Sequence, residues 1–354
     1  MFGIVAPASD GKSASRQADE VDARASVSNV SSRRAAEFAF RAAAIVLSLL
    51  ALEAGLRLLG LPAADACWVP KEAFWIPDDQ LGFAYRPGAR VAGGIINEIG
   101  LRGPVPDAAG SAGKPRMLFL GDSSAYGFGV ADEESFWSLA SRALDAEPIV
   151  AAAPGYSTYH SRVLLERLLP TRPEWVVFYV GAYNDHRRRV YYADAEIPER
   201  MARRHAGWHR IRTLAAGELV FDKLGRWLRR QSHDPLAMVR VSPAAFETNL
   251  RAMLAATRAA GVRSLVLIPP FSNELRARRQ SISQYEQILR RVAGEAADRV
   301  VELGPDFDAA SGVPLFQRDG IHPTVAGQAR IAAAIEREIR AAGGFADQRA
   351  SASQ

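Results

Sequence analysis

Five short strand-like runs, mostly apolar, punctuate the chain: Met117–Leu120, Pro148–Ala152, Trp175–Val180, Ser264–Ile268 and Val300–Leu303. Such runs fit strands covered on both faces rather than wetted on one. Stretches of helical period lie between or after them, near Glu133–Asp145, His160–Leu169, Pro243–Ala260, Ser281–Ala297 and Thr324–Ala342. This rhythm predicts an α/β fold: a five-stranded parallel sheet with helices on both faces. In such a sheet the loops after the strands' carboxyl ends share one edge, and ligands bind there. Gly121 through Ser123, Pro154-Gly155 and Gly181 through Asp185 all follow strands directly, so the pattern sends them to that edge.

The start of the chain has a different pattern. Residues 1–34 are rich in Ala, Ser, Asp and Arg without apolar period, which reads as a disordered cytoplasmic tail. Arg33, Arg34 and Arg41 then precede an uncharged, largely apolar run from Ala42 to Leu52. A helix from Phe38 to Leu61 would be ~36 Å long, enough to cross a bilayer. Glu53 and Arg57 stand one turn apart and can pair, and Arg41 and Arg57 can snorkel to opposite faces. Residues 35–61 are therefore read as an uncleaved transmembrane signal anchor. The preceding arginines place the N-terminus in the cytoplasm and the rest outside it. An amphipathic soluble helix and a cleaved signal peptide are the alternatives. Residues 62–114, punctuated by Pro and Gly, form a connecting segment expected to pack on the edge of a domain at 115–343, and 344–354 form a second disordered tail.

Composition narrows the class. With 354 residues, 48% apolar and 23% charged, the chain can bury a real core and is not disordered as a whole. Its single cysteine, Cys67, excludes an intrachain disulfide. The net charge of +5 is unevenly spread. Residues 187–240, in the interval between the third and fourth strands, hold 13 Lys/Arg against 6 Asp/Glu, so they carry +7 and the rest −2. That insertion also has Tyr191, Tyr192, Trp208, Phe221 and Trp227, with Arg226, Arg229 and Arg230 opposite an apolar helical stripe. It reads as a solvated basic helical insertion, or as a lid or a surface that meets anionic headgroups or an acidic polymer. For a domain outside the cytoplasm, nucleic acid is not the expected partner.

The chemistry sits at two short peptides, Gly121-Asp122-Ser123-Ser124 and Asp319-Gly320-Ile321-His322-Pro323. A serine hydroxyl attacks only when a base removes its proton, and the base needs an orienting partner. His322 is the best placed of six histidines, because Asp319 three residues earlier can accept from Nδ1 and leave Nε2 for Ser123. His186, beside Asn184 and Asp185, is the rival, but adjacent residues do not aim both side chains at one atom. Charge developing on an attacked carbonyl needs donors. The Ser123 N–H, the Gly155 N–H and the Asn184 side-chain amide are the candidates for that oxyanion hole. No His, Cys and carboxylate cluster has ligand spacing beyond Asp319 and His322, so neither a metal nor a cofactor is expected. Each piece alone has a plain reading as a turn, loop glycine or helix cap; their order along the chain is what points to catalysis.

These residues resemble the SGNH (GDSL) hydrolase family, whose four blocks are matched by Ser123 in Gly-Asp-Ser, by Gly155, by Asn184 within Gly181–Asp185, and by Asp319 with His322. The resemblance covers about Arg116 to Gly343. A looser likeness upstream, in Asn97-Glu98-Ile99-Gly100-Leu101-Arg102-Gly103, resembles the bacterial membrane-anchored branch. It implies a flavodoxin-like three-layer αβα sandwich and metal-free esterase chemistry, often on acylated glycans. It also implies Ser123 as nucleophile, His322 as base and Asp319 as its orienter, with Ser123, Gly155 and Asn184 as oxyanion hole.

The expectation is a single-pass inner-membrane protein whose extracytoplasmic domain cleaves O-acyl esters of an acylated carbohydrate or a small ester. A polysaccharide O-acyltransferase using the same acyl-serine is the enzymatic alternative. A non-catalytic glycan- or lipid-binding module is the other.

Overall fold

The protein is described by a computed structural model covering residues 33–34, 36–55, 74–106, 113–181, 183–187, 193–205, 239–272, 281–308 and 313–345. These residues fall in two compact units, the N-terminal helix in one and everything from Phe74 onward in the other. The N-terminal helix α1, Ala36–Gly55, has 20 residues and a mean hydropathy of 1.7 over an 18-residue stretch. At the usual rise it is about 30 Å long, the thickness of a bilayer's hydrocarbon core. Its Ser48 hydroxyl donates to the Ala44 carbonyl at 2.8 Å, so the one small polar side chain at mid-helix is satisfied within the helix. The Phe38–Leu61 span read from sequence lies only in part within the described residues.

The second unit begins with two small antiparallel pairs, β1 (Trp75–Ile76) with β2 (Ala84–Tyr85) and β3 (Arg90–Val91) with β4 (Gly94–Ile95). The main domain then alternates strand and helix: β5 (Arg116–Gly121), α2 (Ser123–Tyr126), α3 (Phe136–Ala143), β6 (Glu147–Ala152), α4 (Thr158–Leu168) and β7 (Trp175–Tyr179). It continues through α5 (Ile197–His205), α6 (Pro243–Ala259), β8 (Arg263–Ile268), α7 (Ser281–Ala296), β9 (Arg299–Glu302), α8 (Gly304–Asp308) and α9 (Val325–Ala341). All five strands of the large sheet are parallel, in the order β6-β5-β7-β8-β9. This is the expected five-stranded, flavodoxin-like three-layer sandwich. Each strand lies within two residues of its predicted run. In β5 to β8 the run is apolar because both faces are buried, whereas the edge strand β9 buries Val301 and leaves Val300 and Glu302 exposed.

Topology decides where the helices go. The chain steps from β5 to β6 in one direction and from β6 through β7, β8 and β9 in the other. Right-handed crossovers then put α3 on one face and α4, α6 and α7 on the opposite face. The packing agrees: α3 lies against α9, whereas α6 lies against both α4 and α7. The Phe136 N–H donates to Gln328 Oε1 at 2.9 Å, tying α3 to α9 across 192 residues of chain. The two directions part at β5, and the crevice at such a switch point is where doubly wound sheets bind ligands. Gly121, the last residue of β5, pairs with Ala152 of β6 on one side and Tyr179 of β7 on the other, so three strands end level there. A Cβ on Gly121 would collide with the Tyr179 carbonyl oxygen and the Ala125 methyl, so the turn from β5 into α2 is closed to larger residues.

Segment 74–106 wraps the domain at this end of the sheet. Leu81, Tyr85 and Ile96 are buried, and Arg102 forms a bridge to Val150 of the edge strand β6. Arg102 is wholly buried. Its guanidinium donates to the carbonyls of Tyr126, Gly127 and Val130 at 2.7–2.8 Å and pairs with Asp132 at 2.6 Å. Most of the basic insertion, including Arg226, Arg229 and Arg230, lies outside the described residues.

Candidate active site

Ser123 opens α2, a single turn capped by Asp122, whose Oδ1 accepts from the Ser124 N–H at 2.8 Å. Burial pushes the Asp122 carboxyl up to about 6, against the opposing pull of that backbone bond and of His322. Within the crossing from the last strand to α9, the chain makes a tight excursion. Gln317 N–H donates to the His322 carbonyl, Thr324 N–H to the Leu315 carbonyl, and Phe316 bridges Pro323. Asp319 organises the tip: its Oδ1 accepts from the N–H groups of Ile321 and His322 at 2.9 and 3.0 Å. The other oxygen, Oδ2, is 2.5 Å from His322 Nδ1.

The far side of that imidazole meets Ser123. His322 Nε2 lies 2.8 Å from Ser123 Oγ, although 199 positions separate them in sequence. Hydroxyl, imidazole and carboxylate therefore form one continuous chain of hydrogen bonds. For Asp319 partial burial disfavours the charge, but the bonds from His322 and the two backbone N–H groups outweigh it, and the carboxyl titrates below its ordinary range. A carboxylate that stays ionised can hold a proton on Nδ1, which leaves Nε2 free to accept one from the hydroxyl.

Gly155 and Asn184 follow β6 and β7, the strands on either side of β5. Gly155 has a φ of +86° within a turn closed by Tyr156 N–H donating to the Ala153 carbonyl. The Asn184 side chain is buried and donates through Nδ2 to the Tyr156 carbonyl at 2.9 Å, which ties it to the Gly155 turn. Neighbouring Asp185 accepts from Thr158 N–H and from its hydroxyl at the start of α4, and burial pushes its carboxyl up to about 7. The five residues singled out in the sequence thus stand at the carboxyl ends of three adjacent strands and on the one loop that reaches them.

The other histidines stand elsewhere or outside the described residues. His186 is buried with its ring beside Tyr183 and Tyr285. His160 is buried at the start of α4, where Nε2 faces the Leu81 carbonyl and Nδ1 faces Ser157. Burial pushes its pKa down to about 4, so it is neutral at ordinary pH. His209 and His233 lie outside the described residues.

Two contacts at the site were not anticipated from sequence. Phe128 stacks on His322 with ring centres 4.4 Å apart and planes 22° apart. Gln317 holds Phe128 in turn, donating from Nε2 to its carbonyl at 2.7 Å. A lone aromatic two residues after a helix carries no periodic signal, so nothing in the pattern marked Phe128. Arg102, by contrast, stood in the upstream Leu101-Arg102-Gly103 phrase.

The profile of the GDSL-like lipase/acylhydrolase family matches residues 119–330, well over half of the chain. The chain belongs to that family. It is accordingly an ester-hydrolysing enzyme, built on the SGNH hydrolase fold. No curated protein matches this hydrolase. Similar solved structures include a lipase/acylhydrolase from Enterococcus faecalis, at 20% identity over 64% of this chain and 96% of that one, with a TM-score of 0.43. A psychrotrophic esterase from Pseudoalteromonas sp. matches at 17% identity, covering 64% and 97%, with a TM-score of 0.42. An acetylxylan esterase from Geobacillus stearothermophilus matches at 17% identity, covering 64% and 94%, with a TM-score of 0.43.

Proposed function

We propose that this GDSL hydrolase is a serine esterase that removes O-acyl groups, acetyl foremost, from an acylated glycan or small ester outside the cytoplasm. The observation that carries the reading is the continuous chain from Ser123 Oγ through His322 to Asp319, at 2.8 and 2.5 Å. Ser123 Oγ attacks the ester carbonyl carbon as its proton passes to His322 Nε2. The carbonyl oxygen becomes an oxyanion, met by the N–H groups of Ser123 and Gly155 and by the amide of Asn184. Collapse breaks the bond to the leaving alkoxide, which takes the proton from His322, and leaves an acyl-serine. Water then repeats the sequence and releases the acid. Asp319 stays ionised throughout and stabilises the imidazolium. No cofactor or metal is required.

The setting follows from the N-terminus. Helix α1 is long and apolar enough to span a bilayer, and Arg33, Arg34 and Arg41 at its start favour the orientation that exports the domain. We read residues 35–61 as an uncleaved anchor, 62–114 as a connector and 115–343 as the hydrolase domain, the basic insertion 187–240 included.

The full-length protein in detergent should hydrolyse p-nitrophenyl acetate, and Ser123→Ala should lower kcat by roughly 10⁴-fold or more. Ester cleavage that survives this substitution refutes the assignment of Ser123. Transfer of acetyl to an added oligosaccharide in place of water would identify an acyltransferase instead. An export-dependent phosphatase reporter fused after Gly343 should be active in cells; an inactive reporter overturns the orientation.

A further inference from the structure

The Gly155 N–H belongs to the peptide unit that joins Pro154 to Gly155, and that unit sits in a position where it could point either way. Ala153 to Tyr156 form a four-residue turn, closed by Tyr156 N–H donating to the Ala153 carbonyl at 3.1 Å. Proline at the second position and a glycine with φ of +86° at the third make it a type II turn. Type I and type II turns share their end points and differ by reversal of the central peptide. Glycine tolerates the third position of both, so the residues of the turn do not by themselves exclude the reversed form. In a planar trans peptide the carbonyl and the next N–H point in opposite directions. Whatever fixes the Pro154 carbonyl therefore aims the Gly155 N–H.

The Tyr85 hydroxyl donates to the Pro154 carbonyl at 2.9 Å. Tyr85 is buried on β2, upstream of the span that defines the family. Its ring lies in an aromatic group with Phe74, Trp75, Phe83 and Tyr156, so the hydroxyl has a fixed aim. The peptide that follows is held as well. Arg240 Nη1 donates to the Gly155 carbonyl at 2.8 Å, and its guanidinium is held by both oxygens of Asp194, at 3.1 and 2.9 Å. Asp194 in turn accepts from the Ser157 hydroxyl at 2.6 Å. Reversal of the central peptide would leave the Tyr85 hydroxyl without its acceptor and the Pro154 carbonyl without its buried donor.

We propose that Tyr85, assisted by Arg240, is a positioning residue that locks the Pro154–Gly155 peptide in the orientation presenting the Gly155 N–H to the oxyanion. The inference rests on the serine-esterase reading above and adds to it a requirement supplied from outside the family's own span. Segment 74–106 is then part of the catalytic apparatus and not a mere connector.

The test uses the full-length protein and three variants. Tyr85→Phe removes one oxygen and keeps the buried ring. It should lower kcat for p-nitrophenyl acetate by roughly 10- to 100-fold, short of losing the donor outright, with KM within twofold. The inhibition constant of an alkylboronic acid, whose tetrahedral adduct occupies the oxyanion hole, should rise by the same factor. Tyr159→Phe is the control, because Tyr159 makes the same kind of bond from α4 to the Gln80 carbonyl at 3.0 Å and touches no oxyanion peptide. It should keep the wild-type kcat. Arg240→Gln reads the same turn from its second carbonyl and should lower kcat without raising KM, which keeps the idea testable should Tyr85→Phe fold poorly. A wild type with Ser123-dependent activity and a Tyr85→Phe variant of unchanged kcat would overturn the inference alone. Equal losses in Tyr85→Phe and Tyr159→Phe would also overturn it, by making Tyr85 only structural. Absence of Ser123-dependent activity in the wild type would overturn the esterase reading, and this inference with it.

Discussion

Replacing Arg102 with methionine tests whether one buried guanidinium holds the loop behind the reacting groups. The substitution keeps chain length and removes the charge. Arg102 lies between Gly94 and Gly127, and a Cβ on Gly94 would fall on its Nε, so the cavity is shaped for this side chain. Three carbonyls lose their donor. Tyr126 retains the Trp137 indole N–H at 3.3 Å, and Gly127 retains the Val130 N–H at 3.2 Å. The Val130 carbonyl loses the guanidinium at 2.8 Å. Leaving one buried acceptor without that bond costs about 1–3 kcal/mol, and the two weakened ones about 1 kcal/mol each. Asp132 is partly exposed, so losing its partner adds little. The sum is about 3–5 kcal/mol, in line with breaking a buried pair from one side. For a domain of this size that lowers Tm by about 6–20 °C. Urea unfolding followed by tryptophan fluorescence should show a lower midpoint at constant slope, and kcat should fall, because the same loop carries Phe128 against His322. A midpoint shift worth under ~1 kcal/mol would refute the accounting of buried carbonyls.

Other outcomes follow from the same geometry. Phe128→Ala removes the ring that keeps the His322 imidazole upright and should reduce kcat about 10-fold through misalignment, with KM little changed; steady-state kinetics on a soluble ester check this, and an unchanged kcat dismisses the ring's role. Asp185 bears on pH. Its folded pKa of about 7 lies above the ordinary 3.8, so the folded protein holds a proton that the unfolded chain releases, and stability falls as pH rises from about 4 to about 7. Asp185→Asn removes that dependence, so between pH 5 and pH 8 its stability should gain about 2–3 kcal/mol on the wild type. Parallel pH curves in urea unfolding would count against the buried-acid explanation.

Much of this protein was legible along the chain because the relevant physics is local. A strand covered on both faces must be apolar throughout, so β5 to β8 announced themselves, whereas the edge strand β9 buries only Val301. An amphipathic helix packed on such a sheet leaves a 3.6-residue period, as at α6 between β7 and β8 and at α9 after β9. Asp319 and His322 are three residues apart, so their bond depends only on a tight loop. Ser123 follows Gly121 and Asp122, where a strand must turn sharply into a helix. The sequence by itself therefore determined the fold class, the edge of the sheet where chemistry gathers and the residue types that gather there. Tertiary structure alone decided the rest, because the remaining bonds join residues whose separation carries no pattern. Arg102 meets a loop some 25 residues on, Arg240 meets Asp194 across the insertion, and Tyr85 meets Pro154 across 69 positions. Such contacts arise when strands parting at β5 bring their following loops to one crevice, where buried carbonyls must find donors wherever the chain supplies them.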